Sequence, residues 1–248
     1  MKWIERLVLW ASIPTFFLIW QVVSTSGLIN ELLFPPPTKV AAALWSELVG
    51  GTLVLDLAMS VMRVIVGFIS GAAAAIVVGL LTGRYQVVSN FLAPIFQLLR
   101  PIPPIAFVPI VILWFGLSEW GKWFLVFWGV FFTVWVATHL GVQRADPALI
   151  RAARSLGTPD RLLIRDVILP STLPTIFVGL RTAVSISFYT LVAAELAGAF
   201  AGLAYRIDLA HQNMQTGQML GGLVMLGLVS AAADRGFATL SRRLVWWS

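Results

Sequence analysis

Cysteine is absent from this chain of 248 residues, and charge is scarce. Without cysteine, disulfides, thiolate catalysis and cysteine metal sites are excluded. Charged residues make up only 11% of the chain, compared with about 25% in an ordinary soluble domain. The two histidines, His139 and His211, have no second ligand at metal spacing, so no metal site is expected. The composition excludes an ordinary soluble domain.

Apolar residues are abundant instead. They form 59% of the chain, and the mean hydropathy is +0.90. Runs of about 20 apolar residues cross the hydrocarbon core of a bilayer. Six such runs occur, at approximately residues 7–25, 58–82, 87–117, 121–140, 172–200 and 214–233. We therefore predict an all-α integral membrane protein with one transmembrane domain over residues 1–248.

Glycine pairs four residues apart recur in these runs. Such spacing lets helix backbones approach closely, which favours a tightly packed bundle. The pairs are Gly67 with Gly71, Gly79 with Gly83, Gly198 with Gly202, and Gly217 with Gly221.

The distribution of Lys and Arg predicts the orientation in the membrane. The net charge of +6 indicates basic residues at cytoplasmic helix ends rather than nucleic-acid binding. With a cytoplasmic N-terminus, the inner segments hold most of these residues, whereas the outer segments hold Lys39, Lys122 and Arg206. Both termini and the arginine-rich loop at 141–171 are therefore predicted to be cytoplasmic.

Prolines divide the third apolar run at "RPIPPIAFVP". Broken backbone within a membrane is tolerated only where protein or a water-filled cavity satisfies the freed groups. The break is either a pathway element or a packing kink. Ionisable residues in the spans are functional candidates; alternatively, they extend their charged ends to the membrane interface or form structural ion pairs. A cluster of hydroxyl side chains in the fifth run either binds solute or forms hydrogen bonds between helices. The candidates for the translocation path are Arg100, Pro101, Pro103, Pro104, Arg181, Ser185, Tyr189 and Glu195.

Two short helices are predicted in the arginine-rich loop. Asp146-Pro147 and Thr158-Pro159 each combine an N-cap oxygen with proline at the first helical position. Gly157 closes the first helix, and Leu169-Pro170 is expected to end the second. Ala148, Leu149, Ala152, Ala153 and Leu156 share one low apolar face. Such a face either docks in a groove of a partner or lies on anionic lipid.

The same loop resembles the motif of permease subunits of binding-protein-dependent ABC importers, Glu-Ala-Ala-x3-Gly-x9-Ile-x-Leu-Pro. Here Ala152-Ala153, Gly157 and Val167-x-Leu169-Pro170 match it. The stretches "LFPPPTKV", "DPALIRAARSLG" and "VILPSTLPTIFVGLRTAV" are similar to the nitrate/sulfonate/bicarbonate branch, over roughly residues 33–243. Arg151 replaces the motif's Glu, so a salt bridge of that Glu is not carried over. Arginine at this position resembles taurine-type permeases.

The resemblance implies a six-helix type I importer bundle whose loop at 141–171 is a coupling helix. The residues that would contact an ATPase are Arg151, Ala152, Ala153, Ser155, Leu156, Gly157, Leu169 and Pro170. Implied partners are a second permease copy in a homodimer, two cytoplasmic ATP-binding subunits, and a periplasmic or lipid-anchored binding protein in a bacterial inner membrane. ATP and Mg would be bound by the ATPase, and this chain would hold no cofactor.

The solute implied is a small anion, with a sulfonate such as taurine favoured over nitrate, bicarbonate or another organic solute. "GLSEWGKW" matches the start of a phosphate-binding loop, but Trp123 replaces the Ser/Thr that binds magnesium. No catalytic residues are predicted. The alternatives are an ATP-independent secondary transporter, against which the single proline break counts, and a membrane scaffold or enzyme.

Overall fold

The apolar runs fold into helices, because within a bilayer a helix satisfies its own backbone hydrogen bonds. A computed structural model describes residues 2–245, and the side chains of residues 11–245. The side chains of Lys2 and Arg6, which contribute to the predicted orientation, lie outside that range. The helices are α1 Lys2–Thr25, α2 Pro37–Val49, α3 Thr52–Arg84, α4 Gln86–Leu99, α5 Val108–Phe115, α6 Glu119–Gln143, α7 Pro147–Ser155, α8 Asp160–Leu163, α9 Leu169–Leu196, α10 Leu203–Gln212 and α11 Thr216–Leu244.

Four helical segments in the described part of the chain are long and apolar enough to cross a membrane, namely Thr52–Arg84, Glu119–Gln143, Asp160–Leu196 and Thr216–Leu244. The pair Gln86–Leu99 and Pro104–Phe115 is bent by 86° and counts as a fifth span if taken as one. Ala11–Thr25 is a shorter apolar helix on the first predicted run. The fifth run was predicted to reach residue 200, but α9 ends at Leu196.

The chain divides into two compact units, residues 1–59 with 200–227, and residues 60–199 with 228–248. In the first unit, Asp56 is buried and accepts hydrogen bonds from the backbone N–H of Gly202, at 2.8 Å, and from Arg206 Nε, at 2.7 Å. These bonds connect the start of α3 to α10. The prediction of a single domain over 1–248 remains a prediction.

In the second unit, α6 packs between α3 and α9. A Cβ placed at Gly67 or Gly79 of α3 would lie 2.5 Å from Val126 Cβ or 2.6 Å from Thr138 Cβ of α6. On the other side, a Cβ at Gly179 of α9 would lie 2.3 Å from the Cβ of Ala137. The predicted close helix packing therefore occurs around α6.

The glycine pair Gly198 and Gly202 is an exception, and its predicted role in helix packing is wrong. Both residues follow the end of α9 and have positive φ, 117° and 137°. Side chains rarely adopt this backbone conformation, so glycine here permits the chain to turn after α9.

Candidate functional site

The arginine-rich loop starts as its sequence predicts. Asp146 is the N-cap of α7, and its carboxylate accepts a hydrogen bond from the backbone N–H of Ala148 at 2.7 Å. Pro147 occupies the first turn, where a backbone N–H has no acceptor within the helix, so the N–H that proline lacks is not needed.

The end of α7 also follows the prediction, but the start of α8 does not. Gly157 has φ +75°, its N–H donates to Arg154 O at 2.9 Å, and Thr158 N–H donates to Ala153 O at 3.2 Å. This is the Schellman pattern of helix termination. Thr158 therefore completes α7 and does not cap α8, whose N-cap is Pro159 without a side-chain hydrogen bond.

The expected helix end at Leu169-Pro170 is wrong as well. A π-helical turn at Ile164–Ile168 connects α8 to α9, with Pro170 in the first turn of α9. Proline cannot donate to the carbonyl four residues earlier, and its ring would clash with that carbonyl in a regular helix. A wider turn just before Pro170 accommodates both effects, so residues Asp160–Leu196 form one continuous helical segment.

A small apolar core holds this loop in place. Val142, Leu163 and Ile168 are buried together, and Ile150 and Ala153 pack against them. Ala153 is therefore half-buried on the inner side of α7, and its predicted contact with an ATPase stays a prediction. Arg84 at the end of α3 also bonds Asp160 at 2.9 Å.

The opposite side of α7 is exposed. Leu156 is 86% exposed and Leu149 is 53% exposed, so both present apolar surface on this side of the helix. The other predicted docking residues at this surface are Arg151, Ala152, Ser155 and Gly157, all exposed. Leu169 and Pro170 are half-buried and lie in the helix beyond it.

A cleft of about 490 Å³ lies beside the proline break. Arg100 caps the end of α4, and a 3₁₀ turn at Pro104–Phe107 leads into α5. Among the predicted path residues, the cleft brings together Arg100, Pro103, Pro104 and Tyr189.

The donors in this cleft suit an anion. Arg100 is exposed and has no ion-pair partner within residues 11–245. Trp128 also lines the cleft, and its indole Nε1 is buried without a hydrogen-bond partner in that range. Thr182 and Thr190 line it too, but their hydroxyls donate to carbonyls of their own helix. Arg100 is therefore the donor that is accessible to an anion in this cleft.

The remaining path candidates lie elsewhere. Pro101 is in the break but does not line the cleft, and Ser185 is exposed on α9. Arg181 forms a pair with Asp234. Glu195 is 1% exposed and accepts hydrogen bonds from Ser60 at 2.6 Å and Arg63 at 2.9 Å.

Arg63 connects this buried carboxylate to a second one. Its Nε and Nη2 lie 2.7 and 2.8 Å from the two carboxylate oxygens of Glu119. Lys122 bonds Glu119 at 3.0 Å and the carbonyl of Leu117 at 2.9 Å. Two positive and two negative charges thus pair across α3, α6 and α9. The lysine of the apparent phosphate-binding motif takes part in this network and does not face a phosphate loop.

Comparison with known proteins agrees with this architecture. Residues 71–246 match the family described as binding-protein-dependent transport system inner membrane component. The chain belongs to this family. The permease is therefore a multi-pass membrane protein and the transmembrane subunit of an ABC importer, and the predicted family is confirmed.

Two relatives and one structure illustrate the similarity. The permease is 34% identical to a Bacillus subtilis protein named for aliphatic sulfonates transport, over 99% of this chain and 88% of that protein. It is 34% identical to the taurine transport system permease protein of Escherichia coli, over 92% and 85% of the two chains. The inward-facing MetNI methionine ABC transporter has a TM-score of 0.58 at 18% identity, over 82% and 95%, which supports the type I permease fold.

Proposed function

We propose that this permease imports a small sulfonate and is driven by an ATPase that docks on α7. The observation that carries the proposal is the exposure of Leu149 and Leu156 on a helix whose other side packs against the core. An exposed apolar surface flanked by arginines suits the groove of a protein partner. In the proposed complex, two permease copies pair with two ATP-binding subunits, which hold ATP and Mg, and a periplasmic or lipid-anchored protein delivers the solute.

The connection from α7 to the cleft supports a mechanical role for the loop. The segment Asp160–Leu196 starts directly after the α7–α8 turn and is helical throughout. Its residues Thr182, Tyr189 and Thr190 line the cleft beside Arg100. A push on α7 would therefore reach the cleft through one helix, and the ATPase would bias the bundle between two states.

The sulfonate assignment rests on relatives and on cleft chemistry. The two relatives above are named for aliphatic sulfonates and taurine. A sulfonate carries one negative charge and three acceptor oxygens, so it would accept hydrogen bonds from Arg100, which is exposed and lines the cleft. Arginine and an anionic oxygen form hydrogen bonds about twice as strong as neutral ones.

The test is a reconstituted complex of the permease, its ATPase and its binding protein, with radiolabelled taurine. Gly157→Arg forces a large side chain into a positive-φ position on the docking face, and we expect loss of ATPase binding and of uptake. Gly157→Asn is the matched control, because asparagine tolerates this conformation and should retain both. Arg100→Ala should lower taurine uptake about tenfold while ATPase binding persists.

Each result separates the parts of the proposal. If folded Gly157→Arg protein still transports, α7 is not the docking element. Normal uptake by Arg100→Ala would remove the cleft from the anion path but leave the docking proposal intact.

A further inference from the structure

A second cleft, of about 770 Å³, lies between the first turns of α9 and the last turns of α11. Arg181, Arg235 and Arg242 line it together with one acidic residue, Asp234. The cleft also has apolar walls, formed mainly by Phe177, Val178 and Ala238. It shares no lining residue with the cleft at the proline break.

The charges in this second cleft do not cancel. Arg181 Nε and Nη2 each lie 3.0 Å from a different oxygen of Asp234, so these two residues neutralise each other in a bidentate pair. Arg235 and Arg242 form no salt bridge within residues 11–245. They are seven residues apart, two helical turns, and so lie on nearly the same face of α11. The cleft therefore has two uncompensated positive charges.

The length of the helix places this cleft near the membrane boundary. The segment Asp160–Leu196 has 37 residues, which at 1.5 Å per residue is about 55 Å. The hydrocarbon core is only about 30 Å thick. If the end at Leu196 lies near one boundary, the other boundary falls near residue 177, beside Arg181. Phospholipid phosphates lie at that level.

We propose that this cleft binds the headgroup of an anionic phospholipid, with the phosphate on Arg235 and Arg242 and an acyl chain along Phe177 and Val178. Basic pockets between transmembrane helices bind acidic headgroups in this way. A free phosphate ion would use the arginines but would gain nothing from the apolar wall. The proposal does not depend on the transported solute.

The experiment is native mass spectrometry of the full-length chain released from micelles that contain dioleoyl phosphatidylglycerol or dioleoyl phosphatidylcholine. We expect preferential retention of phosphatidylglycerol by the wild type. The double variant Arg235→Gln/Arg242→Gln should bind it about thirty-fold more weakly, given the typical contribution of basic residues at an anionic membrane surface. Arg165→Gln/Arg243→Gln removes two exposed arginines outside the cleft and should bind like the wild type.

Four results would overturn the proposal. The first is equal retention of the two lipids, and the second is equal binding by the two double variants. The third is complete displacement of phosphatidylglycerol by about 10 mM inorganic phosphate, which would identify a free-anion site. The fourth is lipid on the monomer but not on the dimer, which would mean that a second copy covers the cleft.

Discussion

At the scale of single residues, Glu47 on α2 has an unusual environment. It is 6% exposed, and neither carboxylate oxygen has a hydrogen-bond partner among the described side chains and backbone. Burial raises the pKa of Glu47 above its ordinary value of 4.5. The positive charge of Arg206 opposes this rise, and the negative charge of Asp56 adds to it. The folded protein therefore holds the Glu47 proton more tightly than the unfolded chain does.

Replacement of this carboxyl group should stabilise the protein at neutral pH. Above the folded-state pKa of Glu47 the wild type carries the cost of a buried charge, which Glu47→Gln removes. We expect the variant to unfold a few degrees higher at pH 7.5, corresponding to about 1 kcal/mol. The measurement is thermal unfolding in detergent at fixed scan rate.

The pH dependence provides the control. Wild-type stability should rise as pH falls through the folded-state pKa towards 4.5, because protonation favours the folded state there. The advantage of Glu47→Gln should shrink over the same range. A constant difference between pH 7.5 and the ordinary pKa of 4.5 would show that the charge of Glu47 is not the cause.

At the scale of helices, the close crossing of α6 and α9 depends on glycines, which have no side chain. Close approaches occur along this pair, because a Cβ at Gly129 or Gly141 would lie 2.6 Å from the Cγ2 of Thr190 or Thr172. At Gly179 the opposing atom is the Cβ of Ala137, which cannot rotate away. Only movement of a helix backbone would create space there.

Alanine at Gly179 should therefore destabilise the permease, although alanine favours helix formation by about 1 kcal/mol over glycine. We expect a loss of about 1–3 kcal/mol from overpacking, measured as a lower unfolding temperature in detergent. Gly236→Ala on α11 is the matched control, since nothing lies within 4 Å of its added Cβ, and it should be neutral or stabilising. Ala137→Gly combined with Gly179→Ala should recover part of the loss. Equal effects at Gly179 and Gly236 would contradict the close crossing.

Short sequence motifs predict the ends of a helix well where residues adjacent in the chain determine them. Asp146-Pro147 starts α7 and Gly157 ends it as expected. The prediction that Thr158 caps α8 is wrong because this residue also fits the end of α7, where its N–H forms a Schellman hydrogen bond. The prediction that a helix ends at Pro170 is wrong because a π-helical turn lets the helix continue through it.

Contacts between distant residues were not predictable in the same way. Glu195 had two open roles, and its partner Arg63 is 132 positions away. Trp128 carries no charge and lies inside an ordinary apolar run, so its place in the wall of the cleft had no signal in the sequence. Arg100 beside the prolines could be identified from the sequence. A charged side chain within a membrane span is energetically costly, and it is therefore a functional candidate.

At the scale of the whole molecule, most arginines of the second unit lie towards one end of it, whereas Arg63 and Lys122 lie near the start of α6. The bond from Arg84 to Asp160 holds the α7–α8 loop beside the end of α3. The pair of Arg181 and Asp234 places the last turns of α11 beside the start of α9. This end is the cytoplasmic one if basic residues follow the positive-inside rule. Trp120 lies at the opposite end of α6.

Because the chain contains no cysteine, single substitutions can test this orientation without background labelling. Trp120 is 67% exposed and Leu156 is 86% exposed, so cysteine at either position should be accessible to reagent on its own side. In spheroplasts treated with a membrane-impermeant maleimide, we expect labelling of Trp120→Cys, and labelling of Leu156→Cys only after permeabilisation. The unsubstituted chain should remain unlabelled throughout. Labelling of Leu156→Cys in intact spheroplasts would place α7 outside the cell, where no cytoplasmic ATPase could dock on it, and both the orientation and the coupling role would fail together.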